Sequence, residues 1–308
     1  MPELPEVEVV RRGLAPHVLG RRIVEAEVLD ARSVRRHDGG AEAFAAAVRG
    51  ARVTAVARRG KFLWLRTDSD TEAIMVHLGM SGQLRVRGTT AVLSSPAASD
   101  GPASDPHRHR RLVLRLDDGA TLDFVDQRLF GGLWTSRLVP ASDGATAGEG
   151  SPDPLLPAAA AHIARDVLDP ALDREAVVAR IRRSRAPIKA ILLDQGVVSG
   201  IGSIYADEAL WAVRLRHDTP GAAVPRVRAL RLLDAAAEVM RRALAVGGTS
   251  FDALYVNVDG RSGYFARSLS AYGREGRPCP RCGTPIRRAM AGGRSSHWCP
   301  RCQRRMRA

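Results

Sequence analysis

The 308-residue chain has no run of about eighteen apolar residues, which speaks against a membrane-spanning helix. The opening MPELPEVEVV carries acids where a secretory signal would have a basic flank and an apolar stretch, so a soluble, cytosolic protein is expected. Cysteine is absent before position 279, and lysine occurs twice, at 61 and 189, in a chain with 47 basic residues. Acid is scarce in the tail: residues 261–308 hold twelve arginines against Glu275 alone, and so carry most of the net charge of +14. An apolar content of 45% excludes a disordered or collagenous chain, and the length suits about two domains.

Each scarcity points somewhere. A positive charge concentrated in one tail has a polyanion as its natural partner, because binding releases condensed counterions. Nucleic acid is the leading candidate, the alternative being a tail that solvates the surface or touches lipid. The four cysteines fall as Cys279-x2-Cys282, sixteen residues, then Cys299-x2-Cys302, the spacing of a four-thiolate zinc site on two tight turns. Two disulfides are the competing reading, which a reducing cytosol disfavours. Lys61 and Lys189 are candidate functional positions, since a compact ammonium differs from a guanidinium in geometry and proton chemistry.

The first half alternates like strands at 53–57, 61–65, 73–78 and 82–86, and 111–116 with 121–125 form a hairpin around Asp117-Asp118-Gly119. A helix over roughly 4–15 opens this β-rich part. Gly88 to Pro106 and Pro140 to Pro157, rich in Ala, Ser, Gly, Pro and Asp, read as loops, the second as the domain boundary. Beyond it the period is helical at 174–181, 188–193, 204–211 and 226–246, and no internal repeat is visible. The turn 195–203, with glycines at 196, 200 and 202, precedes a helix. Its N–H groups suit an anion such as a DNA phosphate, or it is a plain helix-to-helix turn.

At the N-terminus, removal of Met1 would expose the secondary amine of Pro2 beside the carboxylates of Glu3 and Glu6. An α-amino group titrates near 8 and is more nucleophilic at neutral pH than a lysine. It can attack a sugar C1′ and form a Schiff base while the acids move protons. Capping of the first helix turn by the same acids is the competing reading.

Taken with Arg59-Gly60-Lys61-Phe62-Leu63, His77-Leu78-Gly79-Met80-Ser81-Gly82, Asp126-Gln127-Arg128-Leu129-Phe130-Gly131, the 193–210 segment, Tyr272-Gly273-Arg274 and Cys299-Pro300-Arg301-Cys302-Gln303, this opening resembles the formamidopyrimidine-DNA glycosylases. The resemblance implies an α+β fold. An N-terminal helix and β-sandwich domain (1–139) and a linker (140–157) would precede a helix–two-turn–helix domain (158–260) and a zinc ribbon (261–308), with DNA in a basic cleft.

The implied activity is excision of oxidised purines, 8-oxoguanine and formamidopyrimidines, from duplex DNA, followed by β,δ-elimination at the abasic site. Pro2 would be the nucleophile, Glu3 the acid/base and Glu6 a supporting carboxylate. Lys61, His77 and Arg294 would hold phosphate, Lys61 also assisting the lyase step. Met80, Arg128 and Phe130 would fill the gap left by the flipped base, with Arg128 facing the orphaned cytosine. Lys189 and Ser203 are further DNA-binding candidates. One structural Zn²⁺ would sit on Cys279, Cys282, Cys299 and Cys302, with no other cofactor, in a monomer free of membrane partners and associated with the nucleoid when on DNA.

Two positions depart from the family pattern: Ser203 stands where Asn is common, and Leu129 where some members have a second Arg. An endonuclease VIII-like enzyme for oxidised pyrimidines is the alternative within the fold, although Leu4 and the Met80–Arg128–Phe130 set point away from it. A catalytically silent DNA-binding relative would be expected to have lost Pro2, Glu3 or Lys61, and all three are present.

Overall fold

The computed structural model describes residues 2–88, 108–248 and 268–306. It divides into two compact units, one holding Pro2 and Glu6–Ala161, the other Glu3–Pro5 and the described residues from His162 onward. The loop read over 88–106 lies, beyond Gly88, outside the described residues. Among the described residues no helix is long and apolar enough to cross a membrane.

In the first unit, helix α1 (Leu4–Val18) is followed by β1 (Ile23–Val28), a 3-10 turn (Ala31–Val34) and α2 (Gly40–Val48). Strands β2 (Val53–Arg59), β3 (Phe62–Thr67), β4 (Glu72–His77), β5 (Gln83–Arg87), β6 (Arg110–Leu116), β7 (Thr121–Val125), β8 (Gly132–Pro140) and β9 (Leu155–Pro157) complete it. They form two antiparallel sheets, ordered β1-β6-β7-β5 and β2-β3-β4-β8-β9. Val7, Val10, Leu14 and Val18, spaced for one face of α1, join a core with Leu63, Leu65, Ile74, Leu114, Leu122 and Phe124 from both sheets.

The 140–157 stretch is not a linker. Its backbone pairs as β9 against β8, and Arg58 and Glu149 exchange main-chain hydrogen bonds at 2.9 Å. Ala141, Ala147, Leu156 and Ala160 cover the face of the five-stranded sheet that presents Trp64, Met75 and Trp134. Alanines suit this position because large indoles already fill the space, which is why no periodicity was visible.

In the second unit, α3 (Arg174–Arg183) starts at Asp173, whose side chain accepts the N–H of Ala176 at 2.9 Å. It packs with α4 (Ile188–Leu193), α5 (Ser203–Ala212) and α6 (Arg226–Ala245) around Ile181, Ile188, Tyr205, Leu210 and Leu232. The hairpin β10 (Arg287–Ala291) and β11 (Arg294–Trp298) belongs to the same unit, so the zinc ribbon expected as a separate domain shares one body with the helices.

Candidate catalytic and DNA-binding site

Glu3 is 3% exposed, and its carboxylate accepts the N–H groups of Gly202 at 2.6 Å, Ile204 at 2.9 Å and Tyr205 at 3.4 Å. These are the free donors at the start of α5, where the helix dipole also favours a negative group. The N–H groups of 202, 204 and 205 at the glycine-rich turn therefore hold an anion that is a side chain of the protein itself. A Cβ on Gly202 would collide with the Glu3 carboxyl carbon, and one on Gly200 with the Leu4 side chain. Ser203 lies between these donors as the first residue of α5; it is half-buried and makes no side-chain hydrogen bond among the described residues. The acid next to Pro2 thus caps α5.

Helix α5 organises the rest of its unit. Asp207 accepts from Lys189 Nζ at 2.6 Å with one oxygen and from the His297 N–H at 2.8 Å with the other. Lys189 also donates to the Ser295 carbonyl at 2.7 Å and is 5% exposed. The expectation that Lys189 binds DNA is corrected: its charge is spent on a buried ion pair that joins α4, α5 and β11. Glu208 accepts the N–H groups of Ser270, Ala271 and Tyr272. Burial raises its pKa, and burial with the charges of Glu3 and Asp207 raises that of Tyr272.

The four cysteines are unbridged, and their Sγ atoms all lie within 4.8 Å of one another. This spacing fits tetrahedral thiolate coordination of one Zn²⁺ and argues against the disulfide reading. Trp211 Nε1 donates to Cys279 Sγ at 3.4 Å and the Cys302 N–H to Cys299 Sγ at 3.4 Å, the supporting contacts a thiolate site needs. With four protein ligands no position is left open, so the metal is structural. Arg294 is exposed at the start of β11, next to the Gly292-Gly293 turn, and lines a cavity of about 480 Å³ with Lys189, Asp194, His217 and Asp218.

In the first unit, Lys61 sits with Gly60 in the two-residue turn between β2 and β3, Gly60 taking the positive φ of 57° that such a hairpin turn demands. Behind the turn, Arg58 binds the Gly60 carbonyl at 3.1 Å and Glu8 at 2.9 Å. Glu8 is 1% exposed. Burial alone would raise its pKa, but hydrogen bonds from Arg11 and the charges of Arg58 and Arg11 outweigh this and hold it at about 2. His77, at the end of β4, packs against the Phe62 ring at 5.4 Å. Burial, then the charges of Arg36, Arg35 and Lys61, outweigh the opposing pull of Asp126 and lower its pKa to about 4, so the imidazole is neutral at pH 7.

Met80 and Arg128 come together, with Arg128 Nη1 3.9 Å from Met80 Sδ, and Phe130 follows two residues on in the same loop. Met80 and Phe130 are 42% and 52% exposed, so both have apolar surface available to act as a wedge. Asp126, fully buried, holds their loop from within: it accepts Ser81 Oγ at 2.6 Å, the Arg128 N–H at 3.1 Å and the Gly131 N–H at 2.8 Å. Gly79 permits the close approach of the two loops, since a Cβ there would meet the Gly131 nitrogen at 2.5 Å. Asp126, Glu8, Asp207 and Glu208 were not singled out from sequence. Each lies within a stretch that carries the family resemblance, Glu8 in the opening, Asp126 in Asp126–Gly131 and the other two in 193–210, but nothing local marks them apart from their neighbours.

Residues 1–133 match the formamidopyrimidine-DNA glycosylase N-terminal domain, 163–254 the formamidopyrimidine-DNA glycosylase H2TH domain, and 276–305 the zinc finger found in FPG and IleRS. The formamidopyrimidine-DNA glycosylase of Mycolicibacterium smegmatis is 53% identical over 288 residues, covering 94% of this chain and 92% of that one. That of Leifsonia xyli is 51% identical over 289 residues, covering 93% and 94%. The crystal structure of the MutM (Fpg) protein from Thermus thermophilus superposes with a TM-score of 0.77 at 33% identity, over 98% of both chains. A Lactococcus lactis Fpg variant in complex with Fapy-dG-containing DNA gives 0.78 at 27% identity, over 99% of this chain and 100% of that one.

Proposed function

This chain belongs to the formamidopyrimidine-DNA glycosylase family, and from that premise we propose that Pro2 and Glu3 carry out base excision and strand cleavage on oxidised purines in duplex DNA. The observation that supports this most is Glu3, fixed by three N–H donors immediately after the proposed nucleophile. Once Met1 is removed, the Pro2 nitrogen attacks C1′, the N-glycosidic bond breaks, and its electron pair leaves with the base, which takes up a proton. The sugar ring opens to an iminium between Pro2 and C1′. Glu3, held by both oxygens, moves protons without swinging away. Loss of a proton from C2′ expels the 3′ phosphate, a second elimination expels the 5′ phosphate, and water releases Pro2. Glu6 is the supporting carboxylate.

Lys61 holds phosphate by charge and assists the lyase step, whereas neutral His77 holds phosphate by donating one N–H. Arg294 contributes a third phosphate contact from the zinc finger. Met80 and Phe130 fill the space of the extruded base, and Arg128 donates to O2 and N3 of the unpaired cytosine. The enzyme acts as a monomer in the cytoplasm, on nucleoid DNA. The test is cleavage of end-labelled duplexes carrying 8-oxoguanine opposite C: the expected product ends in phosphate on both sides of a one-nucleoside gap. Faster cleavage at an oxidised pyrimidine, or binding with no cleavage, would overturn the reading.

A further inference from the structure

The loop that carries Arg128 and Phe130 has an unusual backbone. Leu129 adopts φ of 56°, in the left-handed region that a branched side chain rarely occupies. Such a residue persists only where its surroundings over-determine it. Asp126 secures the amides at positions 128 and 131. The kink turns three successive carbonyls, those of Leu129, Phe130 and Gly131, to one guanidinium. Arg35 Nη1 donates to Leu129 O at 2.7 Å and Gly131 O at 3.4 Å, and Nη2 to Phe130 O at 3.2 Å. Nη1 also binds the Arg32 carbonyl at 2.9 Å, tying the fork to the 3-10 turn.

We propose that Arg35 is a positioning residue for opposite-base recognition: by gathering the carbonyls of 129–131 it holds Arg128 and Phe130 in the geometry that reads the orphaned base. The proposal rests on the assignment of Arg128 and Phe130 as the residues that replace the flipped base. The base of Arg35 is itself anchored without help from its head group. Arg36 stacks on Trp134 at 4.8 Å, the Thr135 N–H points to His37 Nδ1 at 3.3 Å, and Gly132 lies against the Ser33 carbonyl. Arg35 is exposed, so altering it empties no core. A planar fork with several donors can serve three carbonyls at once, whereas an ammonium of equal charge cannot match that geometry.

The experiment is single-turnover excision of 8-oxoguanine opposite C and opposite A by the wild type, Arg35→Lys, Arg35→Gln, Arg128→Ala and the Arg35→Lys/Arg128→Ala double variant. The C-to-A ratio is internally controlled against loss of folded enzyme. Arg35→Lys and Arg35→Gln are expected to lower that ratio about tenfold, and the double variant to be no worse than Arg128→Ala, because Arg35 acts through Arg128. Binding measured across salt concentrations should keep the wild-type slope in Arg35→Lys. A wild-type ratio in Arg35→Lys, with the ratio collapsed in Arg128→Ala, overturns the proposal alone and leaves Arg35 as a charge. An unchanged ratio in Arg128→Ala overturns the underlying assignment, and the proposal with it.

Discussion

The carboxylate of Glu3 accepts the backbone N–H of Gly202 at 2.6 Å across 199 residues of sequence. The same contact explains why position 202 is glycine. Its φ of −124° is open to any residue, so the constraint is space: a Cβ would occupy the Glu3 carboxyl.

Gly202→Ala is therefore expected to displace Glu3 with little backbone strain. Excision should fall by about a hundredfold or more, the range of a lost acid/base group. Glu3→Gln should show a similar loss, because its amide would face N–H donors, and the double variant should lose little more. Near-wild-type excision by Gly202→Ala would show that Glu3 works from another position.

Acid stability follows from His77. Its folded pKa of about 4 lies below the unfolded value of about 6.5, so the fold prefers the neutral ring. This contribution is fully present above pH 6.5 and is lost as pH falls toward 4, by up to about 3 kcal/mol. Glu8, lowered to about 2, adds a second loss below about 4.5. Urea unfolding at pH 7, 5.5 and 4.5 should show a smaller decline in His77→Gln than in the wild type. Equal declines would place the acid sensitivity elsewhere.

Lys189 and Arg294 should separate cleanly. Removing Lys189 leaves Asp207 buried and unpaired, so Lys189→Ala should destabilise by about 3–5 kcal/mol, and Lys189→Met with Asp207→Leu should recover much of it. A loss of affinity in Lys189→Ala with unchanged unfolding would restore it as a DNA ligand.

Arg294 is exposed, so Arg294→Ala should leave the unfolding midpoint in place. It should weaken binding to every duplex and lower the salt slope by about one. Weakening confined to one lesion would contradict a phosphate contact.

The contrast between the two lysines shows what the sequence can carry. Both were singled out by scarcity, but scarcity does not reveal that Asp207 meets Lys189 inside a core while Lys61 stands on a hairpin turn. Local signals transferred well: the β6–β7 hairpin, the paired cysteines, and the helical period of α6 are contained in short windows. Strand β1 escaped notice because a bulge between Ile23 and Glu25 breaks its alternation. The nest for Glu3 was legible as an anion site, but its occupant was not. Its anion comes from the opposite end of the chain, and nothing local distinguishes a carboxylate from a phosphate.

In the proposed mechanism the amine of Pro2, next in sequence to a carboxylate fixed on α5, is the nucleophile. Borohydride added during turnover of an 8-oxoguanine duplex should reduce the iminium and leave a covalent protein–DNA adduct. Peptide mapping should place the adduct on Pro2, and it should be lost in Pro2→Gly. An undiminished adduct in Pro2→Gly, mapped to Lys61 or any other lysine, would contradict the account.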